Sequence, residues 1–282
     1  MNLVKFGLAI ILIGGIAGAQ PATTLKQLPP NTNVSATLRD GSTIYGRLER
    51  LDADSLVIVG SSGRMAFAVD GVRELRTAGN EHKTKEGATE YWFPEANTTR
   101  MFFGPTGRTL RQGEGYFADH DVLVASASVG ITDRLQLGGG TLIIHNSQFW
   151  FVMPKVGIVQ GEKLNVSVGA LYGGIGGING GIAYAVGTYG GPDQNVTIGF
   201  GQGFSGKQVG GQPVLMVGGE SRLSRRVALL TENYFGAGSN DGLLMYGVRF
   251  LGEKFSVDLA LMNSVRSPVF PGFPYVDFVI KW

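Results

Sequence analysis

Phe273-Pro274-Tyr275-Val276-Asp277-Phe278-Val279-Ile280-Lys281-Trp282 is the stretch whose reading decides the fold. Val276, Phe278, Ile280 and Trp282 share one register, and Tyr275, Asp277, Val279 and Lys281 share the other. Successive side chains of a strand point to opposite faces, so one face of this segment is wholly apolar and the other carries both charges.

The same division recurs upstream. Phe255, Val257, Leu259 and Leu261 alternate against Asp258. Leu244, Tyr246, Val248 and Phe250 lie opposite Arg249, and Val227, Leu229 and Phe235 lie opposite Glu232. Trp150, Val152, Val156 and Ile158 lie opposite Lys155. A lipid-facing Arg or Lys at the bilayer midplane costs about 2–4 kcal/mol in a barrel, so this alternation assigns the charges to an interior and the apolar residues to hydrocarbon. The candidate lumen-lining residues are therefore Lys155, Glu232, Arg249, Asp258, Asp277 and Lys281. Aromatic residues fall near both ends of the strands, with Trp150, Tyr172 and Phe235 at one rim and Phe250, Phe255 and Trp282 at the other.

The final strand resembles the C-terminal strand of outer-membrane β-barrel proteins, which ends in an aromatic residue after alternating apolar positions. The resemblance implies recognition by the barrel-assembly machinery and closure of the barrel by this strand. Alternating runs give twelve expected strands, at 98–105, 116–130, 135–145, 149–160, 164–174, 181–189, 195–204, 212–222, 226–235, 242–251, 255–263 and 273–282. Bacterial barrels use even strand numbers and place short turns on the periplasmic side. With Trp282 at that side, the periplasmic turns are Thr132-Asp133-Arg134, Gly161-Glu162-Lys163, Gly191-Pro192-Asp193, Leu223-Ser224-Arg225 and Gly252-Glu253-Lys254. The longer connections, at 106–115, 205–211, 236–241 and 264–272, then face outward. The faces of 122–129 and 142–144 cannot be assigned by alternation.

Bulk properties agree with export and membrane insertion. The chain has 282 residues, 45 glycines, 16% charged residues and a formal net charge of +2, so it carries no electrostatic signature of a nucleic-acid binder. It has no cysteine, which excludes disulfides, thiol catalysis, thiolate metal sites and a lipoprotein anchor. Lys5, the apolar run 8–13 and Ala17-Gly18-Ala19 before Gln20 form a secretory signal peptide over 1–19. No stretch approaches the ~20 apolar residues of a transmembrane helix.

Residues 31–79 read as a small β unit. Val34, Ala36 and Leu38 alternate up to Asp40-Gly41, and Met65, Phe67 and Val69 up to Asp70-Gly71, with Asp-Gly pairs marking hairpins. Gly46-Arg47-Leu48 with Asp52 resembles the first signature of Sm-like proteins, which implies a small SH3-like barrel. Leu56 stands where that family carries a uridine-contacting asparagine, and Val72-Arg73-Glu74 stands in place of its second signature. The RNA-binding residues are thus missing, and a protein-contact or spacer role is expected. Residues 80–97 read as a polar tether, with Tyr91-Trp92-Phe93 at the membrane interface, and 98–282 as the barrel.

No catalytic, cofactor or metal residues are assigned. The histidines are His82, His120 and His145, with no metal-ligand spacing and no His-Glu-x-x-His run. No Gly-x-Ser-x-Gly elbow occurs. The glycines at 138–140 and at 199, 201 and 203 lack the following helix and Lys of a phosphate loop.

The sequence thus describes an all-β, twelve-stranded outer-membrane barrel with a periplasmic N-terminal domain, acting as a narrow passive pore or a structural envelope protein. The alternatives are an outer-membrane enzyme with a rim site at His120 or His145, and an autotransporter-like export barrel. The expected partners are membrane lipid, the barrel-assembly machinery and a periplasmic protein engaged through residues 31–79, with no nucleic acid. The mature chain is expected to sediment with membranes in the absence of detergent and to migrate differently on a gel before and after boiling. A chain that stays in the supernatant is not a membrane barrel.

Overall fold

The computed structural model describes residues 28–282 except 41, 61–62, 78–80, 84–88, 94, 96, 144–148, 206–207, 211 and 239–240, with the side chains of 43, 81–83 and 89–91 also left aside. The expected signal peptide, Gly41 of the first hairpin turn and His145 lie outside the described residues, as does the side chain of His82. The chain divides into two units, Met1–Gly79 and Asn80–Trp282.

The first unit holds β1 (Asn33–Leu38), β2 (Thr43–Leu51), β3 (Ser55–Gly60), β4 (Gly63–Ala68), a 3-10 turn at Val69–Gly71 and β5 (Val72–Thr77). The strands pair antiparallel in the order β4-β3-β2-β1-β5. Val34, Ala36, Leu48, Leu56, Ile58, Val72 and Leu75 form its core. Leu56 is fully buried there, so the position at which the resembling family contacts RNA serves packing in this chain. The five strands expected from sequence thus form one antiparallel sheet, and among the described residues no pairing joins β4 to β5.

The second unit begins with a short hairpin, β6 (Glu81–Lys83) with β7 (Thr89–Tyr91). An irregular segment, residues 92–114, follows. The barrel wall is β8 (Gly115–His120), β9 (Val124–Gly130), β10 (Leu135–Leu142), β11 (Trp150–Gln160), β12 (Leu164–Ile175), β13 (Ile178–Gly190) and β14 (Gln194–Ser205), then, after the two-residue β15 (Gln208–Val209), β16 (Val214–Ser224), β17 (Val227–Gly236), β18 (Gly242–Leu251), β19 (Phe255–Ser264) and β20 (Phe273–Lys281). Each wall strand pairs antiparallel with its neighbours, and β20 returns to β8 with Asp277 opposite His120 and Lys281 opposite Tyr116. The sheet is thereby a closed barrel of twelve strands.

Two sequence expectations about the wall are corrected. Residues 98–105 are not a strand, and 116–130 is two strands joined by a tight turn. The errors offset, so the strand total and the sidedness of the turns from residue 131 on are unchanged, whereas 106–115, expected to face outward, ends at the short-turn side. The turn is made by Asp121 and Val122, both left-handed (φ 53° and 59°), with Leu123 N–H donating to His120 C=O at 3.0 Å. A β-branched residue rarely takes that conformation, so alternation continues through the turn with no Gly or Asn to mark it.

The distribution of polarity is the reverse of a water-soluble fold. Arg249, Glu232, Asp258 and Asp277 are fully buried, along with Ser167, Thr188 and Thr197. Val156, Ile158, Val168, Ile198, Phe200, Leu229, Leu259 and Ile280 are exposed on the outer positions of the same strands. A contiguous apolar outer surface around a closed sheet with a polar interior is the arrangement that hydrocarbon requires. At one rim Trp150 meets Tyr172 edge-on at 5.6 Å and Tyr172 stacks on Phe204 at 6.0 Å.

Replacing Val122 with Gly removes an αL penalty of roughly 1–2 kcal/mol. The V122G variant is expected to unfold at a higher urea concentration in lipid vesicles than the parent chain; a lower midpoint contradicts the turn geometry.

Candidate functional site

The lumen is the site, and the segment 92–114 occupies it. Phe93, Glu95, Asn97, Thr99, Arg100, Met101, Phe102, Thr106 and Leu110 are all buried. This segment corresponds to the end of the expected tether, the expected first strand and the expected outward connection 106–115. It lacks alternation because its side chains meet walls on all sides.

Its entry and exit lie at the short-turn end. Arg222, on β16 beside the turn to β17, donates to Phe93 C=O at 2.9 Å and Asp193 Oδ1 at 2.9 Å. Its guanidinium also lies over the Trp92 and Phe93 rings, at 4.9 and 5.1 Å. Trp92 and Phe93 therefore seat against the barrel's short-turn mouth rather than in the membrane interface expected from sequence. On the way out, Arg108 donates to Gly190 and Gly191 C=O at 2.9 and 2.8 Å, and Thr109 Oγ1 donates to Asp133 C=O at 2.9 Å. Gly115 N–H then pairs with Trp282 C=O at 3.2 Å.

Between these anchors the segment folds back on itself. Met101 N–H donates to Gly104 C=O at 2.8 Å, and Thr106 N–H to Thr99 C=O at 3.0 Å. The resulting tip presents backbone N–H groups in one direction. The Glu232 carboxylate accepts from Phe102 at 2.6 Å, Phe103 at 3.1 Å and Gly104 at 2.9 Å, and the Tyr234 hydroxyl also donates to it. Successive N–H groups in a turn form an anion-binding concavity, so a wall carboxylate grips the tip by its backbone.

Arg249 is the second grip. Nε and Nη2 donate to the two oxygens of Asp258 at 2.7 and 2.8 Å, a bidentate pair between β18 and β19. Nη1 reaches Glu95 at 2.6 Å and Glu220 at 3.1 Å, and Nη2 reaches Met101 C=O at 2.9 Å. One guanidinium thus joins three wall strands to the segment. Arg100 pairs with Asp277 and donates to Phe102 C=O, with its guanidinium 5.7 Å from the Tyr116 ring. His120 Nδ1 lies 3.0 Å from the Tyr275 hydroxyl and 3.0 Å from Asp277, and Nε2 lies 3.1 Å from Ser126 Oγ. It is a mostly buried member of this network, not a solvated rim residue.

Of the residues selected from sequence, Glu232, Arg249, Asp258 and Asp277 gather around the segment. Lys155 is on the opposite wall, where Nζ donates to Thr99 C=O at 2.9 Å. Lys281 is at the short-turn mouth, 3.5 Å from Glu114. Sequence reasoning missed Glu95, Arg100, Glu220 and Arg222. Glu220 and Arg222 had a readable signal, since they alternate with Val217 and Gly219 on β16; Glu95 and Arg100 had none, because their partners are remote in sequence.

Glycine makes room for the segment. A Cβ on Gly107 would lie 2.1 Å from Asn165 O, and one on the wall residue Gly130 would lie 2.1 Å from Arg111 O. On Gly218 it would lie 2.6 Å from Met101 Sδ. These inward glycines therefore permit close backbone approach, besides any role in bending the sheet. Among the described residues no group of three or more His, Asp or Glu could hold a metal ion.

Beside the segment, along β8–β13, runs a cavity of about 530 Å³. Arg100, His120 and Lys155 line its deep part, and Phe149, Phe151, Leu171, Ile175 and Ile178 its walls.

No protein-family model matches the chain, and no curated protein sequence matches it. Among solved structures it is similar to the KdgM porin, at 11% identity and a TM-score of 0.42 over 60% of this chain and 95% of that one. The KdgM porin in complex with disordered oligogalacturonate gives 10% identity and 0.43 over the same shares. OmpT, an outer membrane protein of Vibrio cholerae, gives 13% identity and 0.33 over 89% of this chain and 96% of that one. The barrel's own closure and outward face, rather than these distant likenesses, carry the assignment.

Removing one partner of a buried ion pair is strongly destabilising because it strands the other charge, by about 3–5 kcal/mol. Arg249→Met leaves the carboxylates of Asp258, Glu95 and Glu220 without their shared cation. Its unfolding free energy in vesicles is expected to fall by about that amount, and a loss below 1 kcal/mol would show that the network is not structural.

Proposed function

We propose that the protein is an outer-membrane channel of narrow bore, with residues 92–114 acting as an internal constriction. The observation that carries this reading is the lumen itself. A twelve-stranded wall encloses more space than its side chains fill. The tip of the segment is held from the β16–β20 side, residues 107–110 lie against β10, β12 and β13 toward the short-turn end, and a cavity remains along β8–β13. Passage past the segment is restricted to small solutes, unlike the wide aqueous lumen of 16–18-stranded porins.

In this reading the short-turn end faces the periplasm, because short turns lie on that side in barrels of this class. Residues 31–79 then lie in the periplasm, where they serve as a contact module for another envelope protein. The barrel-assembly machinery inserts the chain through its C-terminal strand. A second reading, a purely structural envelope barrel, is favoured by the density of ion pairs and hydrogen bonds between the segment and the wall.

Planar-bilayer recording separates the two. The wild-type channel is expected to show small, steady conductance. Gly107→Val places a side chain against the Asn165 backbone and should unseat the segment, raising conductance several-fold and increasing its fluctuation. Folded protein that conducts in neither form excludes the channel and leaves the structural reading.

A further inference from the structure

We propose that the cavity along β8–β13 is a binding site for an amphipathic monoanion, a carboxylate borne on an aromatic or aliphatic body. The inference rests on the barrel reading of the lumen but does not require that the lumen conduct.

The size is that of a small-molecule site, about 530 Å³, within the range of roughly 300–1,000 Å³ typical of ligand pockets. Its walls are anomalous for a barrel interior. Elsewhere the large apolar residues that point inward, such as Leu230, Met245 and Val279, are buried in packed clusters. Here Leu171, opposite Ile182 on β13, and the pair Ile175 and Ile178 at the β12–β13 turn face a space they do not fill. Ile175 and Ile178 are 61% and 74% exposed. Phe149 and Phe151, whose ring centroids are 5.7 Å apart, and Phe103 from the inserted segment complete the apolar surface. A hydroxyl-rich solute finds few hydrogen-bonding partners on such a wall, and an apolar body gains from displacing water there.

The deep end is cationic. Among the described residues no Asp or Glu lines the cavity. Arg100 is neutralised by Asp277. Lys155 is almost fully buried, and its Nζ is held by the carbonyls of Thr99 at 2.9 Å and Thr106 at 3.5 Å. Among the described residues no carboxylate pairs with it. A buried ammonium has three donors and needs a counter-charge to offset its lost hydration. A ligand carboxylate at the Lys155 end of the cavity supplies both an acceptor and that charge, while its apolar body lies against Phe149, Phe151 and Leu171. Neutral analogues supply only the second interaction, and cationic analogues meet repulsion.

The test uses the full chain in lipid nanodiscs, so that detergent does not compete for the apolar walls. Binding of 2-naphthoate, 2-naphthalenemethanol and 2-naphthylmethylammonium is measured by titration calorimetry against protein-free discs. Wild-type protein is expected to bind the carboxylate at least tenfold more tightly than the alcohol and to show no binding of the ammonium beyond the lipid blank. Lys155→Met should abolish the preference for carboxylate over alcohol. Leu171→Asp, at an exposed wall position, should weaken carboxylate binding at least tenfold, and gel mobility before boiling reports that each variant is folded. Equal affinity for carboxylate and alcohol in the wild type, an unchanged preference in folded Lys155→Met, unchanged carboxylate affinity in folded Leu171→Asp, or heats fully matched by empty discs would each overturn the site. Binding without conductance removes the channel and leaves the site; conductance without discrimination among the probes does the reverse.

Discussion

Hydrocarbon offers no hydrogen-bond partner, and this constraint shapes the whole second unit. A sheet in that solvent must close, because an open edge leaves unpaired backbone groups in lipid. The pairing of β20 with β8 removes the edge. Closure at twelve strands then creates a second requirement, since the enclosed space is wider than the wall's side chains fill. Residues 92–114 meet it. Their irregular backbone is tolerated at membrane depth only because the protein itself satisfies it, with Glu232 accepting from the tip, Thr188 from Gly107 N–H and Gln136 from Leu110 N–H.

The charged residues follow from the same geometry. Alternation forces Glu232, Arg249, Asp258 and Asp277 inward, where isolated charges are unfavourable. The inserted segment brings Glu95 and Arg100 to complete them. The pairs bind the segment to β16–β20, and the lumen becomes asymmetric as a result. One side is packed, its ion pairs set beside a cluster of Phe93, Phe102, Leu230, Met245 and Tyr275. The other, along β8–β13, keeps an unfilled space with Lys155 at its deep end and apolar walls nearer the β12–β13 turn. Position separates the lumen charges: Glu232, Arg249, Asp258 and Asp277 stand on β17–β20 around the segment, and Lys155 stands on β11, where it donates to the segment's Thr99 C=O and lines the cavity.

Glycine acts at short range throughout this interior. Gly107, Gly130 and Gly218 sit where a Cβ would collide with backbone or with Met101. Without them the segment could not lie against the wall, and its carbonyls and N–H groups could not reach wall side chains. The small residues of β9 and β10, including Ser126, Ser128, Gly138 and Gly140, have the same consequence. They leave depth in the lumen, and they also erase the size contrast by which alternation is read.

The sequence by itself determined the solvent of the outer face, the wall strands from β11 to β20 and the inward side for Lys155, Glu232, Arg249, Asp258 and Asp277. These follow from a period of two, which is a local property, and from turns such as Gly252-Glu253-Lys254 that carry their own chemistry. The tertiary structure alone decided the fate of residues 92–114, the Asp121–Val122 turn, the faces of β9 and β10, and the existence of the cavity. Arg100 and Asp277 are separated by 177 positions, and Arg249 and Glu95 by 154. Nothing local in the chain encodes those meetings. They arise because closing twelve strands leaves a polar volume, and the adjoining stretch of chain satisfies it.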